Sequence, residues 1–453
     1  MTTYRPYQED GVRALYGLLR EHRRVIGVAP TGAGKTVIAQ LIAEHAAYRG
    51  VRLYFGVHRR NLVTQTYQRF TAVGLRTGVI MAGDKRLDPD APIQVFSADT
   101  MVRRDVAAPT VLLLDEVHNL AKYQRLIDRW PNALVLGLTA TPVGPLDRVF
   151  TALHVIALPS FLLANGYITD IEAWGLVRPD LSSVATRGDD FEQDGAERVV
   201  MEAVEDVVSA WIRRGQDKPT LAFAQSVKHS LALRDAFRRE GIAAEHVDAE
   251  TPEADRTRIF GGFVDGSVRV VLNYDIISEG ADFPDCGCVV LARATKSVRV
   301  FLQQIGRGLR PASGKERCIV LDCAGNIERM WWPLDDVPWE LGQSGVAVRK
   351  KMAKDAIKTC EECYRTWRAA DGPKCPYCGW VKPAKEIRIK ARGRETKRIE
   401  RKVRTTNPIH VLELQKLVEA ARRRGHKPTA ALFPFRVRFN RFPTAEERKA
   451  AGL

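Results

Sequence analysis

The chain has 453 residues, 45% of them hydrophobic, enough for two or three separate cores, because a single core stops growing well below this length. Its net charge of +16 is unevenly placed: residues 346–453 hold 29 Lys and Arg against 11 Asp and Glu, which leaves the preceding residues near neutrality. That pattern excludes an acidic solvating polymer and fits a polyanionic partner whose counterions are released on binding, although a solvated basic tail has the same composition. No apolar run approaches the roughly 18 residues that cross a bilayer, and the opening Met1-Thr-Thr-Tyr-Arg-Pro-Tyr-Gln-Glu-Asp10 lacks a signal core. A cytoplasmic protein without membrane partners is expected. Four of the eight cysteines form two Cys-x-x-Cys pairs, and Cys286, Cys288, Cys318 and Cys323 are scattered among apolar residues, so disulfides are not implied.

In chain order, apolar runs at Val25–Ala29, Val51–Val57, Ile93–Phe96, Val111–Leu114 and Ala133–Leu138 alternate with amphipathic stretches, the first a helix from Thr36 to Tyr48 closed by Gly50. Strands buried on both faces read as continuous apolar runs, so this is an α/β unit with a parallel sheet. Leu181–Ala196 is polar and acidic and reads as a connector. A second alternation follows: Thr220–Ala224, a helix over Val227–Glu240, Ala244–Val247, a helix begun by Thr251-Pro252, then Val268–Leu272, Val289–Leu291 and Cys318–Leu321. From Gly342 the periodicity fades into a cysteine cluster, a basic stretch over Lys382–Arg404 and a helix around Ile409–Arg424. The expected organisation is two tandem α/β domains, 1–170 and 171–345, a small metal module at 346–385 and a basic segment at 386–453.

Ala29-Pro-Thr31-Gly32-Ala33-Gly34-Lys35-Thr36 follows an apolar strand and opens a helix. A phosphate loop needs glycine dihedrals so that backbone N–H groups converge on oxygens, with the helix N-terminus adding partial positive charge. Lys35 is expected on the outer phosphates and the Thr36 hydroxyl on Mg²⁺. Asp115 and Glu116 end the run Val111–Leu114, at the edge where open parallel sheets collect ligands; Asp115 is expected to hold the metal and Glu116 to orient and deprotonate a water. His118 either couples to Leu138–Pro142 or is a satisfied polar residue. Arg307 and Arg310, beyond Gln303 and Gly306, are spaced to face one way on a helix, as cations delivered to a transferring phosphoryl group by a facing domain.

Together these motifs resemble superfamily 2 helicases of the DExH type, in which two RecA-like domains clamp ATP. The resemblance spans about residues 4–330 and extends to other segments. In Tyr4-Arg5-Pro6-Tyr7-Gln8 it implies adenine recognition by Gln8, with Arg5 or Tyr7 nearby. His58, Arg59, Ser97 and Thr100 in the first domain, and Gln225, Ser226 and Asn273 in the second, are implied as nucleic-acid contacts. Thr139-Ala140-Thr141 is implied to link hydrolysis to domain movement, and Gly280, Asp282 and Gln303 to line the nucleotide. More narrowly, Ser278-Glu-Gly-Ala-Asp-Phe-Pro284, Ala294-Thr-Lys-Ser297 and Leu321-Asp-Cys-Ala-Gly-Asn326 followed by four cysteines resemble the RadD-like helicases of bacteria and phages. That resemblance implies DNA repair or recombination in a bacterial or phage-infected cell, and recombination or replication proteins as partners. Asp282 and Gln303 stand too close together for the β-hairpin wedge that several strand-separating relatives insert between them.

Cys360-x-x-Cys363 and Cys375-Pro-Tyr-Cys378 have the spacing of a tetrahedral Cys₄ zinc ribbon, structural because four thiolates leave no open position. Trp367, Tyr377 and Trp380 stack on bases or form the ribbon's own core. In the tail, Arg422-Arg423-Arg424, Arg436, Arg438 and Arg441 alternate with Phe433, Phe435, Phe439 and Phe442, as phosphate contacts with stacking rings or as a half-buried strand. The leading expectation is an ATP-dependent DNA helicase or translocase acting on single-stranded or branched DNA. An ATP-gated DNA clamp and an RNA helicase are the alternatives.

Overall fold

The structure is a computed structural model describing residues 3–57, 60–275, 286–353, 356–382, 408–425, 427–432, 434–435, 443 and 445–453. It contains two compact units, Met1–Pro383 and Ala384–Leu453.

The larger unit holds two parallel sheets. The first comprises β1 (Arg24–Val28), β2 (Leu53–Val57), β3 (Thr77–Ile80), β4 (Ile93–Ser97), β5 (Val111–Asp115), β6 (Leu134–Thr139) and β7 (Ala152–Val155) in the order β3-β4-β2-β5-β6-β1-β7. The second comprises β8 (Asp170–Trp174), β11 (Thr220–Phe223), β12 (Ala244–Val247), β13 (Val270–Asn273), β14 (Cys288–Leu291) and β15 (Arg317–Asp322) in the order β12-β13-β11-β14-β15-β8. Helices cover both faces, which is why β2, β4 and β11 are buried at every residue and why their side chains are mostly apolar, with Gln94, Ser97 and Thr220 as buried polar exceptions. The carboxyl ends of β1 and β5 in the first sheet open on the cavity described below.

The polar stretch read as a connector is structured. Thr186–Arg187 (β9) and Asp190–Phe191 (β10) form a small antiparallel hairpin. The Asp190 carboxylate accepts from the Thr295 hydroxyl at 2.7 Å and the Lys296 N–H at 2.6 Å, and Phe191 joins Leu181, Ala196 and Val200 in a satellite core. Asp190 is thus a docking group and Glu192 a helix cap, roles that a composition argument mistakes for solvated ones.

Beyond the second sheet lies an antiparallel pair, β16 (Ile357–Thr359) and β17 (Thr366–Arg368), carrying the first two cysteines of the ribbon at its turn. It extends the second domain at β8: Trp174 bridges Arg365, and Gly175 N–H donates to the Tyr364 carbonyl at 3.0 Å. The Arg365 guanidinium pairs with Glu172 and lies 4.6 Å from the Trp174 ring centre.

The smaller unit packs the helix Pro408–Arg423 and the helix Ala445–Ala450 around Leu414, Val418, Ala431, Phe435 and Ala451. Phe435 is buried in helical backbone, so the strand suggested by its alternation with arginines is not formed at that residue. Most of Lys382–Arg404, together with Phe433, Arg436, Arg438, Phe439, Arg441 and Phe442, lies outside the described residues. Among the described residues, no helix is long and apolar enough to cross a membrane.

Candidate active site

β1, buried from Val25 onward, runs into the loop Ala29–Gly34. Gly32 (φ +92°) and Gly34 (φ +76°) take left-handed backbone, which L side chains rarely adopt. Gly34 caps the helix Lys35–Tyr48. The loop is braced from behind: the Ala33 carbonyl accepts from the Tyr7 hydroxyl at 2.7 Å and the Gln8 amide at 3.3 Å, while Gln8 Oε1 accepts the Arg5 N–H at 3.1 Å. A Cβ on Gly34 would come within 2.9 Å of Gln8 Nε2. Both ends of the Gln8 amide are thus engaged within the protein, and Arg5 stacks over Tyr167 at 4.3 Å. Neither residue lines the cavity described below.

β5 delivers Asp115 and Glu116. Asp115 Oδ1 accepts the Glu116 N–H at 3.0 Å, and the Asp115 carbonyl accepts from the buried Tyr123 hydroxyl at 2.9 Å. Glu116 has φ +47°, a conformation that costs a non-glycine residue about 1–3 kcal/mol and persists where the surroundings over-determine it. They do so here. Glu116 Oε1 pairs with Lys35 Nζ at 3.4 Å and Oε2 lies 3.2 Å from His118 Nδ1. The same His118 nitrogen is 3.1 Å from the Thr139 hydroxyl, which accepts the Thr141 N–H at 3.1 Å. Of the two readings left open for His118, the structure selects coupling to the Thr139 segment.

The second domain supplies the opposite wall. Ser297 caps the helix Val298–Gly306, which ends one residue before Arg307, so Arg307 and Arg310 are presented by the turn after the helix rather than by a continuing helix. Both line a cavity of about 430 Å³ together with Thr31, Gly32, Gly34, Lys35, Thr36, Asp115, Glu116 and Gln303. Gly306 presses directly on the loop: a Cβ there would stand 2.4 Å from Thr31 Cβ. Gln303 is 4% exposed, and its Nε2, among the described residues, makes no hydrogen bond. The Arg299 guanidinium reaches across to Asn119 Oδ1 at 3.1 Å. A cavity lined by loop glycines, a lysine and arginines fits a polyphosphate, and the Thr36 hydroxyl with the Asp115 carboxylate forms the all-oxygen donor pair that suits Mg²⁺.

Sequence reasoning missed Val37, Pro311 and, from the helix Arg60–Ala72, Leu62, Gln65 and Arg69 among the residues lining the cavity, as well as the Arg299–Asn119 bridge. Arg299 lies one helical turn before Gln303, a spacing that could have flagged it.

Of the described candidate nucleic-acid residues, Ser97, Gln225, Ser226 and Asn273 sit at or just beyond strand ends and Thr100 lies in the short helix Ala98–Met101. Ser97 is buried, and the Thr100 hydroxyl accepts the Ala82 N–H at 3.2 Å. Gln225, Ser226 and Asn273 are buried. Ser226 Oγ accepts the His229 N–H at 3.1 Å, Asn273 Nδ2 donates to the Ala222 carbonyl at 3.0 Å, and the Gln225 N–H donates to His229 Nδ1 at 3.2 Å. Burial drives the His229 pKa down to about 4, which keeps that nitrogen an acceptor at neutral pH. These side chains therefore shape the surface from within. His58, Arg59, Gly280 and Asp282 lie outside the described residues.

The four ribbon cysteines bring their Sγ atoms within 4.8 Å of one another, with Cys360–Cys378 and Cys363–Cys375 each at 3.6 Å. Cys360 Sγ also accepts from the Glu362 and Cys363 N–H groups at 3.4 Å each. An all-sulfur donor set at that spacing fits a tetrahedral ion with bonds of about 2.3 Å, the Zn²⁺ value. Trp367 is buried as ribbon core, whereas Tyr377 is 53% exposed.

A nucleotide loop on one parallel α/β domain facing arginines on another defines a phosphoryl-transfer ATPase of the tandem-domain class. Comparisons agree. The family described as Type III restriction enzyme, res subunit, matches residues 1–144, and the Helicase conserved C-terminal domain matches residues 200–312. The chain is 27% identical over 362 residues to a 51.5 kDa protein of a Lactococcus phage, covering 78% of this chain and 76% of that one. It is 26% identical to the putative ATP-dependent helicase IRC3 of Saccharomyces cerevisiae, covering 71% of this chain but only 51% of the yeast protein. A fragment structure of a putative HsdR subunit of a type I restriction enzyme from Vibrio vulnificus shares the fold, with a TM-score of 0.56 at 18% identity over 71% of this chain and 64% of that one. The chain belongs to the superfamily 2 helicases of the DExH type and is a nucleic-acid-dependent ATPase of that kind.

Gly306→Val should hold the two walls apart by colliding with Thr31. Steady-state turnover should fall about a hundredfold with nucleotide affinity, read by a fluorescent ATP analogue, little changed. Equal turnover would mean that the walls need not meet. Metal analysis of the purified protein should find one zinc per chain, lost in Cys360→Ser, and a zinc-free wild type would contradict the ribbon reading.

Proposed function

We propose that the chain is an ATP-driven DNA translocase, and the observation that carries this reading is the meeting of Gly306 with Thr31, which puts Arg307 and Arg310 on the same cavity as Lys35 and Glu116. The loop N–H groups of Thr31–Gly34 and the Lys35 ammonium bind the outer phosphates. Thr36 and Asp115 would hold Mg²⁺, which offsets phosphate charge when bound. Glu116 takes the proton of the attacking water at one carboxylate oxygen while His118, beside the other, registers the change against Thr139. Arg307 and Arg310 neutralise the charge that spreads over the transferring group, and Gln303 offers its buried amide to the same site. Gln8 acts by bracing the loop, with Arg5 as its neighbour, rather than by standing open in the cavity. The domain limits at residues 170, 345 and 385 belong to this reading.

DNA as the track is supported by the positive charge gathered beyond residue 345 and by the RadD-like resemblance, which also underlies a role in repair, recombination or replication. Ser97, Thr100, Gln225, Ser226 and Asn273 shape the strand-binding edge, to which His58 and Arg59 are assigned by the same resemblance, while Gly280 and Asp282 are assigned to the nucleotide. A second reading, an ATP-gated clamp with little unwinding, is favoured by one feature: only Ala292–Ser297 separates β14 from the arginine helix, leaving no wedge hairpin there.

ATPase rates on single-stranded, duplex and forked DNA and on RNA, paired with displacement of a bound roadblock, separate these readings. Stimulation by DNA with displacement is expected; stimulation without displacement selects the clamp, and preference for RNA overturns the assignment of the track. Lys35→Ala should abolish turnover. Glu116→Gln should slow hydrolysis on the order of a hundredfold or more while retaining nucleotide, and unchanged kinetics would remove it as the base.

A further inference from the structure

After the second sheet the chain does something the two-domain motor does not require. It leaves the second domain at Trp331, a fully buried ring packed edge-on against Phe301 of the arginine helix at 5.7 Å. It then crosses to the first domain and returns. On the crossing, the Asp336 carboxylate accepts from both the N–H and the hydroxyl of Ser160, at 3.0 and 2.6 Å. Trp339 and Leu341 pack on the first domain's outer core, and the Gln343 carbonyl accepts the Gly144 N–H at 2.9 Å. On return, Ser344 caps the helix Gly345–Met352.

The landing points matter. Gly144 lies three residues beyond Thr141, the end of the polar line running from Lys35 through Glu116, His118 and Thr139, and the Val143 N–H is bonded to the Thr141 carbonyl at 2.9 Å. At the other end, Asp335 pairs with Arg368 of β17, whose guanidinium also lies 5.4 Å from the Trp332 ring. The segment is therefore anchored on the arginine helix, bonded to the loop behind the hydrolytic carboxylate, and fastened by the zinc ribbon. Any swing that carries Arg307 away from Lys35 must drag this strap or break its bonds to Ser160 and Gly144.

We propose that Asp335–Gln343 is a positioning strap that sets the spacing of the two walls of the cleft, and that the ribbon controls it through the Arg368–Asp335 latch. The inference rests on reading the cleft as the ATP site. It gives the ribbon a task toward the motor, distinct from any contact it makes with nucleic acid.

The test uses the full-length, metal-loaded protein with Arg368→Glu, Asp335→Arg and the double exchange. Single reversals should lower the DNA-stimulated kcat about tenfold, the middle of the range for coupled sites, leave the affinity for a fluorescent ATP analogue within about twofold, and raise hydrogen exchange at the Ser160 and Gly144 amides. The double exchange should recover most of the loss. Ser160→Ala, which removes one strap bond without touching the ribbon, should raise exchange at Gly144 and lower kcat in the same direction, and keeps the proposal testable where a charge reversal misfolds. Unchanged turnover and exchange in the single variants or in Ser160→Ala, or a double variant no better than its parents, overturns the strap. A wild type without any ATPase overturns the reading of the cleft instead.

Discussion

A helix end without a Cβ meeting a loop threonine is the contact on which the remainder depends. Gly306 can approach Thr31 because nothing projects from it, and only that approach brings guanidinium groups to a lysine that already has its own carboxylate partner in Glu116. Each wall by itself is incomplete. The first holds a loop for phosphates and a base, the second holds cations with no phosphate site of their own, and the chemistry belongs to the seam.

The strained Glu116 shows how tightly that seam is specified. A left-handed glutamate persists because Lys35, His118 and the strand end together determine it. Through His118 and Thr139 the same carboxylate touches the loop that meets the strap, so the state of the hydrolytic site and the relative placement of the domains share one set of hydrogen bonds. That arrangement suits a motor, where a small change beside a phosphate must become a movement of whole domains.

The central strands were legible because burial on both faces makes them predominantly apolar runs, and the loop, the Asp-Glu pair, the arginines and the cysteines were legible because their chemistry restricts residue type. Of the edge strands, β12 was legible as Ala244–Val247 but three others were not. β3 and β7 close the first sheet and β8 closes the second, and Thr-Gly-Val-Ile, Ala-Leu-His-Val and Asp-Ile-Glu-Ala-Trp are short or mixed because an edge tolerates polar residues. Gln8 was legible as part of the site but not as a brace, since its partner is a backbone carbonyl that any residue could supply. The strap was invisible because its bonds to the first domain run through a serine, a glycine amide and a carbonyl, groups with no spacing signature.

The account is tested most directly by single-turnover hydrolysis with Arg307→Ala in the full-length protein on single-stranded DNA. The seam predicts that nucleotide still binds, held by the first domain alone, while the chemical step slows about a thousandfold or more. Hydrolysis at the wild-type rate would show that the second wall contributes nothing to the reaction and would contradict the account.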